Sequence, residues 1–337
     1  MDSLTHIALG AAVGMAVMRR RTTVGKAALW GAVAATLPDL DIFIDHEDPI
    51  LNMVLNRAET HALFWLSLLS LPLAAGVARW HAEQRLWRHW WLALWLALVM
   101  HPLLDLLTVY GTQLLLPFSD RPYGVASIFI IDPLVTLPCL AGAVWALATR
   151  GSVRGLRANT VGLALSLTYL AWSVAAQQHV GRLAAASLAA QGIEAERVLV
   201  TPTAFNTLLW RIVAVSGAAY HEGFHALLDA PGPISFERFE RGAALDAQLQ
   251  AHAGAQRIRA FSHGFYRLHQ EGSRALITDL RMGQEPRYVF RFAVAELRDG
   301  VLVPLAQAEA AGQWPDVQRA LPWLWQRLQG QPMAPPR

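Results

Sequence analysis

Apolar runs of roughly bilayer-crossing length fill the first 180 residues, and this feature restricts the fold more than any other. Six such runs can be drawn, at about 4–18, 27–44, 61–78, 90–107, 128–148 and 159–177. A transmembrane helix needs about 20 mostly apolar residues, so each run is a candidate span. The fourth run begins WWLALWLALVM, which contains no charged residue. We therefore expect a membrane α-helical bundle of about six spans.

The composition agrees with a membrane domain and argues against two other classes of protein. The 337 residues are 54% hydrophobic and 16% charged, which lies outside the usual range of soluble proteins. The formal net charge is +3, but the basic residues stand in short connections between apolar runs, and this distribution does not predict nucleic-acid binding. The single cysteine, Cys139, excludes an internal disulfide and a cysteine-rich zinc site. Any metal must therefore be bound by His, Asp or Glu.

Basic residues between the runs predict the orientation of the chain. Three connections on one side hold ten Lys and Arg residues: Arg19, Arg20, Arg21, Lys26, Arg79, Arg85, Arg88, Arg150, Arg154 and Arg157. The two connections on the other side hold only Arg57 and Arg121. Cytoplasmic connections carry the excess of Lys and Arg, so we expect the N-terminus and everything after residue 178 to lie outside. Asp2 and His6 stand where a signal peptide would be basic, so we expect the first segment to be retained.

The sequence changes character at about residue 180. Segments rich in β-branched and aromatic residues alternate with Pro, Gly and acidic turns, at 196–201, 209–217, 257–268, 274–280 and 287–296. Two stretches, 241–252 and 315–329, are typical of helices. We therefore predict a polytopic membrane domain over residues 1–178. A small, mostly β (α+β) extramembrane domain would follow over 179–337, on the periplasmic side.

Seven unusual polar residues fall at the predicted outer ends of the first four runs. They are Asp2, His6, Asp39, Asp41, His61, His101 and Asp105. An ionisable group at a helix centre in the membrane costs about 2.5–3.5 kcal/mol and usually marks a functional site. His101 and Asp105 are four residues apart, so on a helix they share one face and can bind one ion. For any one of these residues alone, a role at the membrane interface or as a helix cap is about as good an interpretation as a role in a site.

Together the seven residues predict a metal site. Imidazole and carboxylate ligands without thiolate suit zinc or another first-row divalent ion, and so many ligands allow one or two ions. We assign His6, Asp41, His61, His101 and Asp105 as ligands. Asp2 is a further candidate ligand, and Asp39 is a further ligand or a catalytic or orienting carboxylate. Metal ions held in this way activate water for attack on a phosphoester.

A second motif offers a different function. Residues 221–225 read HEGFH, which matches the zinc-protease pattern H-E-x-x-H. That pattern works on a helix, where both imidazoles reach one zinc ion. Gly223 stands inside the motif and RIVAVSG before it is typical of a strand, on which His221 and His225 would lie roughly 13 Å apart. The context therefore disfavours a protease.

Five phrases carry a resemblance to a known family. MDSLTHIALGAAVG, LPDLD, NRAETHALFW, HPLLDLLTVYGTQLLLPFS and IDPLVTLP occur in this order within residues 1 to about 140. They resemble the YdjM/YbcI-type bacterial inner-membrane proteins, described as metal-dependent hydrolases. By resemblance, the family's His and Asp positions fall on the residues assigned above, and Asp132 matches its IDP phrase. The family's third phrase usually reads H-R-x-x-T-H-S, whereas this chain has Asn56 and Ala62 at its first and last positions.

The resemblance also gives expectations about substrate and location. The family is distantly similar to zinc-dependent phospholipase C and single-strand nucleases, which favours a phosphoester substrate by analogy of fold alone. A site at the outer face of the inner membrane would suit a lipid or lipid-linked substrate. Arg121, beside Tyr123, is then a candidate phosphate clamp or an interfacial arginine. A non-catalytic metal-binding transporter or scaffold is the alternative to an enzyme.

Overall fold

A computed structural model describes residues 1–336 as two compact units. The helical unit comprises Met1–Ile44, Arg57–Val174 and Ala204–Asn206. The sheet unit comprises Asp45–Asn56, Ala175–Thr203 and the chain from Thr207 onward. The division falls inside one long helix, so the change in sequence character near residue 180 is not a break in secondary structure.

Six of the first seven α-helices correspond to the predicted apolar runs. The seven are α1 (Ser3–Met18), α2 (Val24–Thr36), α3 (Pro49–Leu55), α4 (Leu63–Trp80), α5 (Trp87–Leu106), α6 (Pro133–Ala148) and α7 (Val153–Ala190). A short 3-10 helix at Pro38–Phe43 follows α2, and another at Glu59–His61 precedes α4. These two short segments carry site residues, as described below.

Three stretches are long and apolar enough to cross a membrane: Leu63–Trp80, Gln84–Leu106 and Val153–Ala190. The helices α1 and α6 are apolar but have 16 residues each, and α2 has 13. The prediction of about six spans is therefore confirmed only as three candidate spans. The second run is shortened because α2 ends at Thr36, and Pro38, which has no N–H to donate, begins a 3-10 helix.

Close packing of α1 on α2 brings two site-bearing ends together. A Cβ added at Gly10 or Gly31 would overlap the backbone carbonyl of the other residue, and one at Gly14 would overlap that of Ala27. Small residues at such crossings let two helix backbones touch, as is common in membrane proteins. Because the two helices are antiparallel, the start of α1 lies beside the end of α2. His6 is thereby placed next to Ala35 and the 3-10 helix that follows.

The sheet unit is built from two antiparallel four-stranded sheets and a two-stranded ribbon. The sheets have the strand orders β1-β2-β3-β4 and β10-β9-β6-β5, and the ribbon pairs β7 with β8. The strands are β1 (Arg197–Pro202), β2 (Leu209–Ser216), β3 (Ala219–Ala226), β4 (Phe236–Glu240), β5 (Tyr266–Glu271), β6 (Arg274–Asp279), β7 (Gly283–Gln284), β8 (Arg287–Tyr288), β9 (Arg291–Arg298) and β10 (Val301–Ala310). The unit also contains α3, the last part of α7 and three further helices: α8 (Ala243–Gln248), α9 (Ala253–Phe261) and α10 (Val317–Leu328).

Most of the predicted strands are found, but the prediction for one segment is wrong in part. Residues 257–268 were predicted as a strand, whereas α9 extends to Phe261 and β5 begins only at Tyr266. Ile258 and Phe261 are three residues apart and both buried, so the apolar residues follow a helical rather than an alternating period. The predicted helix 241–252 is confirmed only over α8, and that at 315–329 is confirmed by α10.

Candidate metal centre

Four side chains of the helical unit converge on one point. His101 and Asp105 project from the last turns of α5, His61 ends the 3-10 helix before α4, and Asp39 lies in the 3-10 helix after α2. Each offers one ligand atom, and these four atoms all lie within 4.8 Å of one another. The side chains of His61, His101 and Asp105 are fully buried, while that of Asp39 is 31% exposed. The cluster is therefore closed on most sides and open at Asp39.

The spacing of the four atoms fits one tetrahedral ion. His101 Nε2 lies 3.3 Å from Asp39 Oδ1 and 3.4 Å from Asp105 Oδ2, and His61 Nε2 lies 3.4 Å from Asp105 Oδ2 and 3.8 Å from Asp39 Oδ1. Ligand atoms about 2.0–2.1 Å from a zinc ion lie about 3.3 Å apart at the tetrahedral angle. Two nitrogens and two oxygens without thiolate are a donor set that zinc and neighbouring divalent ions accept.

The ring orientation of both histidines is set by their Nδ1 atoms. His101 Nδ1 lies 2.6 Å from the carbonyl oxygen of Ala35, which can only accept, so Nδ1 carries the proton. His61 Nδ1 lies 2.9 Å from Thr60 Oγ1 and 3.3 Å from Asp41 Oδ2. A proton on Nδ1 leaves the Nε2 lone pair of each neutral ring free. Backbone carbonyls and carboxylates orient metal-binding histidines in this way.

The two Nε2 atoms and one oxygen of Asp105 lie close enough together to share a proton or a metal ion. The two Nε2 atoms are 3.1 Å apart and both face Asp105 Oδ2, which is buried and has no hydrogen-bond partner within residues 1–336. Two bare imidazole nitrogens and a carboxylate oxygen repel one another unless a proton or a metal ion lies among them. The residues present therefore fit a bound divalent ion.

The other oxygen of Asp105 contacts two nitrogen donors. The amino group of Met1 donates a hydrogen bond to Oδ1, and a guanidinium nitrogen of Arg57 lies 3.2 Å from the same atom. These contacts turn Asp105 so that Oδ2 faces the two histidines. They also offset the cost of burying a carboxylate in an apolar unit.

Arg57 contacts the cluster, although the sequence indicated only that it is a basic residue in a connection between apolar runs. The residue is 8% exposed, its side chain donates to Thr108 Oγ1 at 3.2 Å, and the guanidinium lies 5.0 Å from the centre of the Tyr110 ring. Its backbone N–H donates to Asp41 Oδ2 at 2.9 Å, from a left-handed φ of 64°. One signal was available: it is one of only two basic residues in the predicted outer connections.

Asp39 and Asp41 lie in the same 3-10 helix but make different contacts. Asp39 belongs to the four-residue cluster, whereas Asp41 accepts hydrogen bonds from the Arg57 N–H and the Thr60 hydroxyl and lies against His61 Nδ1. The contacts of Asp41 are those of a residue that orients a ligand, and those of Asp39 are compatible with a ligand. Their assigned roles as ligand and catalytic carboxylate stay predictions.

His6 lies against the cluster without belonging to the four. Its ring stacks on that of His101 with centroids 3.6 Å apart, and its Nε2 lies 3.4 Å from Asp105 Oδ1. Both ring nitrogens are buried and lack a hydrogen-bond partner among residues 1–336. A buried imidazole with two unsatisfied nitrogens is costly, so His6 remains a candidate ligand.

Three other predicted residues have local contacts of their own. Asp2 caps α1, with its carboxylate accepting from the N–H and hydroxyl of Thr5. Asp132 caps α6 and accepts from the Tyr169 hydroxyl at 3.0 Å. Arg121 is exposed and lies over the Tyr123 ring at 5.7 Å. The roles of Asp2 as ligand and Arg121 as phosphate clamp stay predictions.

The HEGFH motif lies on strand β3. Glu222 is buried and accepts a hydrogen bond from Arg211 at 2.7 Å, and His225 Nδ1 lies 3.6 Å from Asp229 Oδ2. Zinc-protease chemistry requires this motif on a helix, with the glutamate free to act as a base. The strand and the ion pair therefore disfavour a protease site.

Comparison with known proteins agrees with the resemblance seen in the sequence. An uncharacterized protein YfhP of Bacillus subtilis (strain 168) is 24% identical over 234 residues, which is 66% of this chain and 68% of that protein. No solved structure matches. The sequence model described as YdjM inner membrane protein matches residues 1–180, which include every residue of the cluster. Since that match covers more than half of the 337 residues, the chain belongs to the YdjM inner membrane protein family.

Proposed function

We propose that this protein is a membrane-embedded, metal-dependent hydrolase. One observation carries the proposal: His61 Nε2, His101 Nε2 and Asp105 Oδ2 face one another within 3.4 Å in a buried site, with Nδ1 of both rings already engaged. A site that served only stability would pair these groups with protons or opposite charges. The buried Asp105 Oδ2, which has no hydrogen-bond partner among residues 1–336, instead favours metal binding.

The proposed ion is zinc. The donor atoms are imidazole nitrogens and carboxylate oxygens, and their spacing suits tetrahedral coordination. His6 would allow a second ion, because its nitrogens are unsatisfied and it lies 3.4 Å from Asp105 Oδ1. We therefore propose one or two zinc ions per chain.

The residues of the cluster and those around it would have different roles in hydrolysis. When bound, a divalent ion supplies Lewis acidity and lowers the pKa of water for attack on a phosphoester. His61, His101 and Asp105 would hold the ion, and Asp41 and the Ala35 carbonyl would keep the imidazoles oriented. Asp39, the half-exposed member, would lie where substrate and water arrive and accept the proton that the water loses.

The substrate is proposed to be a phosphoester or a lipid-linked compound. Arg121 is an exposed cation beside Tyr123 that would bind a phosphate approaching from outside the cluster. A transporter would place its ionisable groups near the midplane of the membrane, whereas the cluster lies at one end of α5. This position favours a site that faces the membrane surface.

The site is proposed to open at the outer face of the inner membrane, with the sheet unit in the periplasm. Along α5, Arg88 lies in the first turn and His101 thirteen residues later, roughly 20 Å along the helix axis. Arg19 likewise follows the end of α1, whereas His6 lies near its start. The basic connections and the cluster are thus at opposite helix ends, and the excess of Lys and Arg favours the cytoplasm for the basic end.

Hydrolysis by the purified full chain tests this proposal. Zinc content is measured first, and then the release of nitrophenol from bis(p-nitrophenyl) phosphate with and without a chelator. We expect bound zinc and turnover that the chelator abolishes, and no turnover by His101→Ala. Zinc binding without turnover on phosphoesters would instead identify a non-catalytic metal-binding protein. Absence of bound metal would overturn the proposal altogether.

A further inference from the structure

The route into the cluster is indicated by the exposure of its four members. His61, His101 and Asp105 have fully buried side chains, and only Asp39 is partly exposed, at 31%. A substrate therefore reaches the cluster past Asp39 and its neighbours in the chain. Those neighbours decide which kind of molecule can approach.

The neighbours of Asp39 are exposed and strongly apolar. Leu40 is 53% exposed, Ile42 77% and Phe43 82%, and we call these three residues the apolar rim. They lie with Asp39 and Asp41 in the same six-residue 3-10 helix, Pro38–Phe43. Clustered exposed apolar side chains mark an interaction surface or contact with lipid. Whatever covers the apolar rim therefore lies within four residues of Asp39 in the chain.

The apolar rim is not part of a spanning helix. The helix α2 ends at Thr36, so the rim lies in the segment that follows it. The outward surfaces of the helical unit are apolar as well, for example at Leu68, Leu137 and Leu165, which are 47%, 55% and 56% exposed. In a membrane these surfaces contact acyl chains. The rim follows α2 in the chain and, like these surfaces, is apolar and exposed.

We propose that the apolar rim binds the acyl chains of a membrane phospholipid whose phosphoester reaches the cluster. This inference rests on the proposed function and narrows its substrate to an amphiphile drawn from the bilayer. Hydrolysis would add one water across a P–O ester bond: the hydroxyl goes to phosphorus, and the leaving alcohol takes the proton. The rim holds the apolar part of the molecule and takes no part in the bond change.

Two esters with the same reactive group but different alkyl chains test the proposal. Ethyl p-nitrophenyl phosphate is soluble, and hexadecyl p-nitrophenyl phosphate is presented in mixed micelles. Burial of only two methylene groups corresponds to about a tenfold change in binding. We expect the zinc-loaded wild-type chain to prefer the hexadecyl ester by at least about tenfold in kcat/KM.

Substitution of the rim should remove this preference. In the double variant Ile42→Ser, Phe43→Ser, kcat/KM for the hexadecyl ester should fall about tenfold. The zinc content and the rate on the ethyl ester should not change. Leu29→Ser is the matched control, since Leu29 is 59% exposed on α2 but lies ten residues before Asp39. It should leave both rates unchanged. Equal losses on the two esters, or an unchanged preference in the double variant, would overturn the role of the rim.

A measurement that needs no turnover separates the rim from the proposed function. Phe43 is replaced by p-benzoylphenylalanine and the full chain is irradiated in vesicles of phosphatidylethanolamine and phosphatidylglycerol. We expect adducts with the mass of a phospholipid at this position. If the wild type hydrolyses neither ester, the proposed function fails, but lipid adducts would still support the rim as a lipid-binding surface. Adducts with protein alone would contradict it.

Discussion

The two units bury polar groups in opposite ways. In the sheet unit three guanidinium groups each face a carboxylate: Arg211 lies 2.7 Å from Glu222, Arg281 2.6 Å from Asp279 and Arg267 2.9 Å from Glu285. In the helical unit the cluster instead sets two imidazole nitrogens, 3.1 Å from each other, against carboxylate oxygens. Both arrangements are buried, but in the first each carboxylate faces a guanidinium, whereas in the second Asp105 Oδ2 faces two imidazole nitrogens and has no hydrogen-bond partner among residues 1–336.

This difference separates a structural network from a candidate site. Buried ion pairs satisfied by neighbours hold strands together and have no capacity left for a ligand. A buried group of acceptors without protons is favourable only when something else binds there. The comparison also explains why the HEGFH residues are poor candidates: Glu222 is already used by Arg211. We therefore expect substitutions in the two units to have opposite effects on metal binding and folding.

The largest expected effect on metal binding comes from His101→Ala. This change removes a ligand at the centre of the cluster, so the bound metal should fall from about one ion per chain to almost none. Metal content of the purified chain, measured by mass spectrometry after dialysis, checks the expectation. The matched control is His89→Ala, earlier on the same helix. Retention of metal by His101→Ala would contradict the cluster as a binding site.

A smaller loss of metal affinity is expected from Asp41→Ala. Asp41 contacts His61 Nδ1 but does not belong to the four-residue cluster, so its removal frees the ring to rotate. Loss of such an orienting carboxylate typically weakens metal affinity by about 10–100-fold. Competition with a fluorescent chelator measures the change, and Asp120→Ala, in an exposed loop, is the control. Complete loss of metal would make Asp41 a ligand, as the sequence alone predicted.

In the sheet unit, Glu222→Ala should leave metal binding unchanged while lowering stability. The substitution leaves the Arg211 charge buried without its carboxylate partner, a loss on the order of 3–5 kcal/mol. Hydrogen exchange of the β2 and β3 amides should therefore accelerate, and metal content should not change. A loss of metal with unchanged exchange would show that the sheet unit contributes to the metal site.

The smallest expected effect is that of the double variant His221→Ala, His225→Ala. Both histidines lie on β3, and His225 contacts Asp229 in the sheet unit. Zinc content and phosphoesterase rate should both match the wild type. Loss of zinc after this change alone would revive the protease interpretation.

Part of this contrast was accessible from the sequence. The positions of His61, His101 and Asp105 at helix ends follow from apolar run lengths and the distribution of Lys and Arg. The choice between Asp39 and Asp41 depended on the turn of a 3-10 helix, which periodicity in a six-residue segment does not reveal. The contacts of Arg57 were missed because its count among the basic residues does not reveal a left-handed backbone or a buried side chain. Three of the six predicted spans are not candidate spans: α1 matches its run but has only 16 residues, whereas the runs 27–44 and 128–148 extend past the ends of α2 and α6.

X-ray absorption of the zinc-loaded wild-type chain tests the central claim most directly. The account predicts about two imidazole nitrogens together with carboxylate oxygens around the ion, at about 2.0–2.1 Å, and no sulfur. The imidazole signal should disappear from any zinc left in His61→Ala, His101→Ala. A shell of oxygens alone, or an imidazole signal that survives this double substitution, would contradict the cluster as the metal centre.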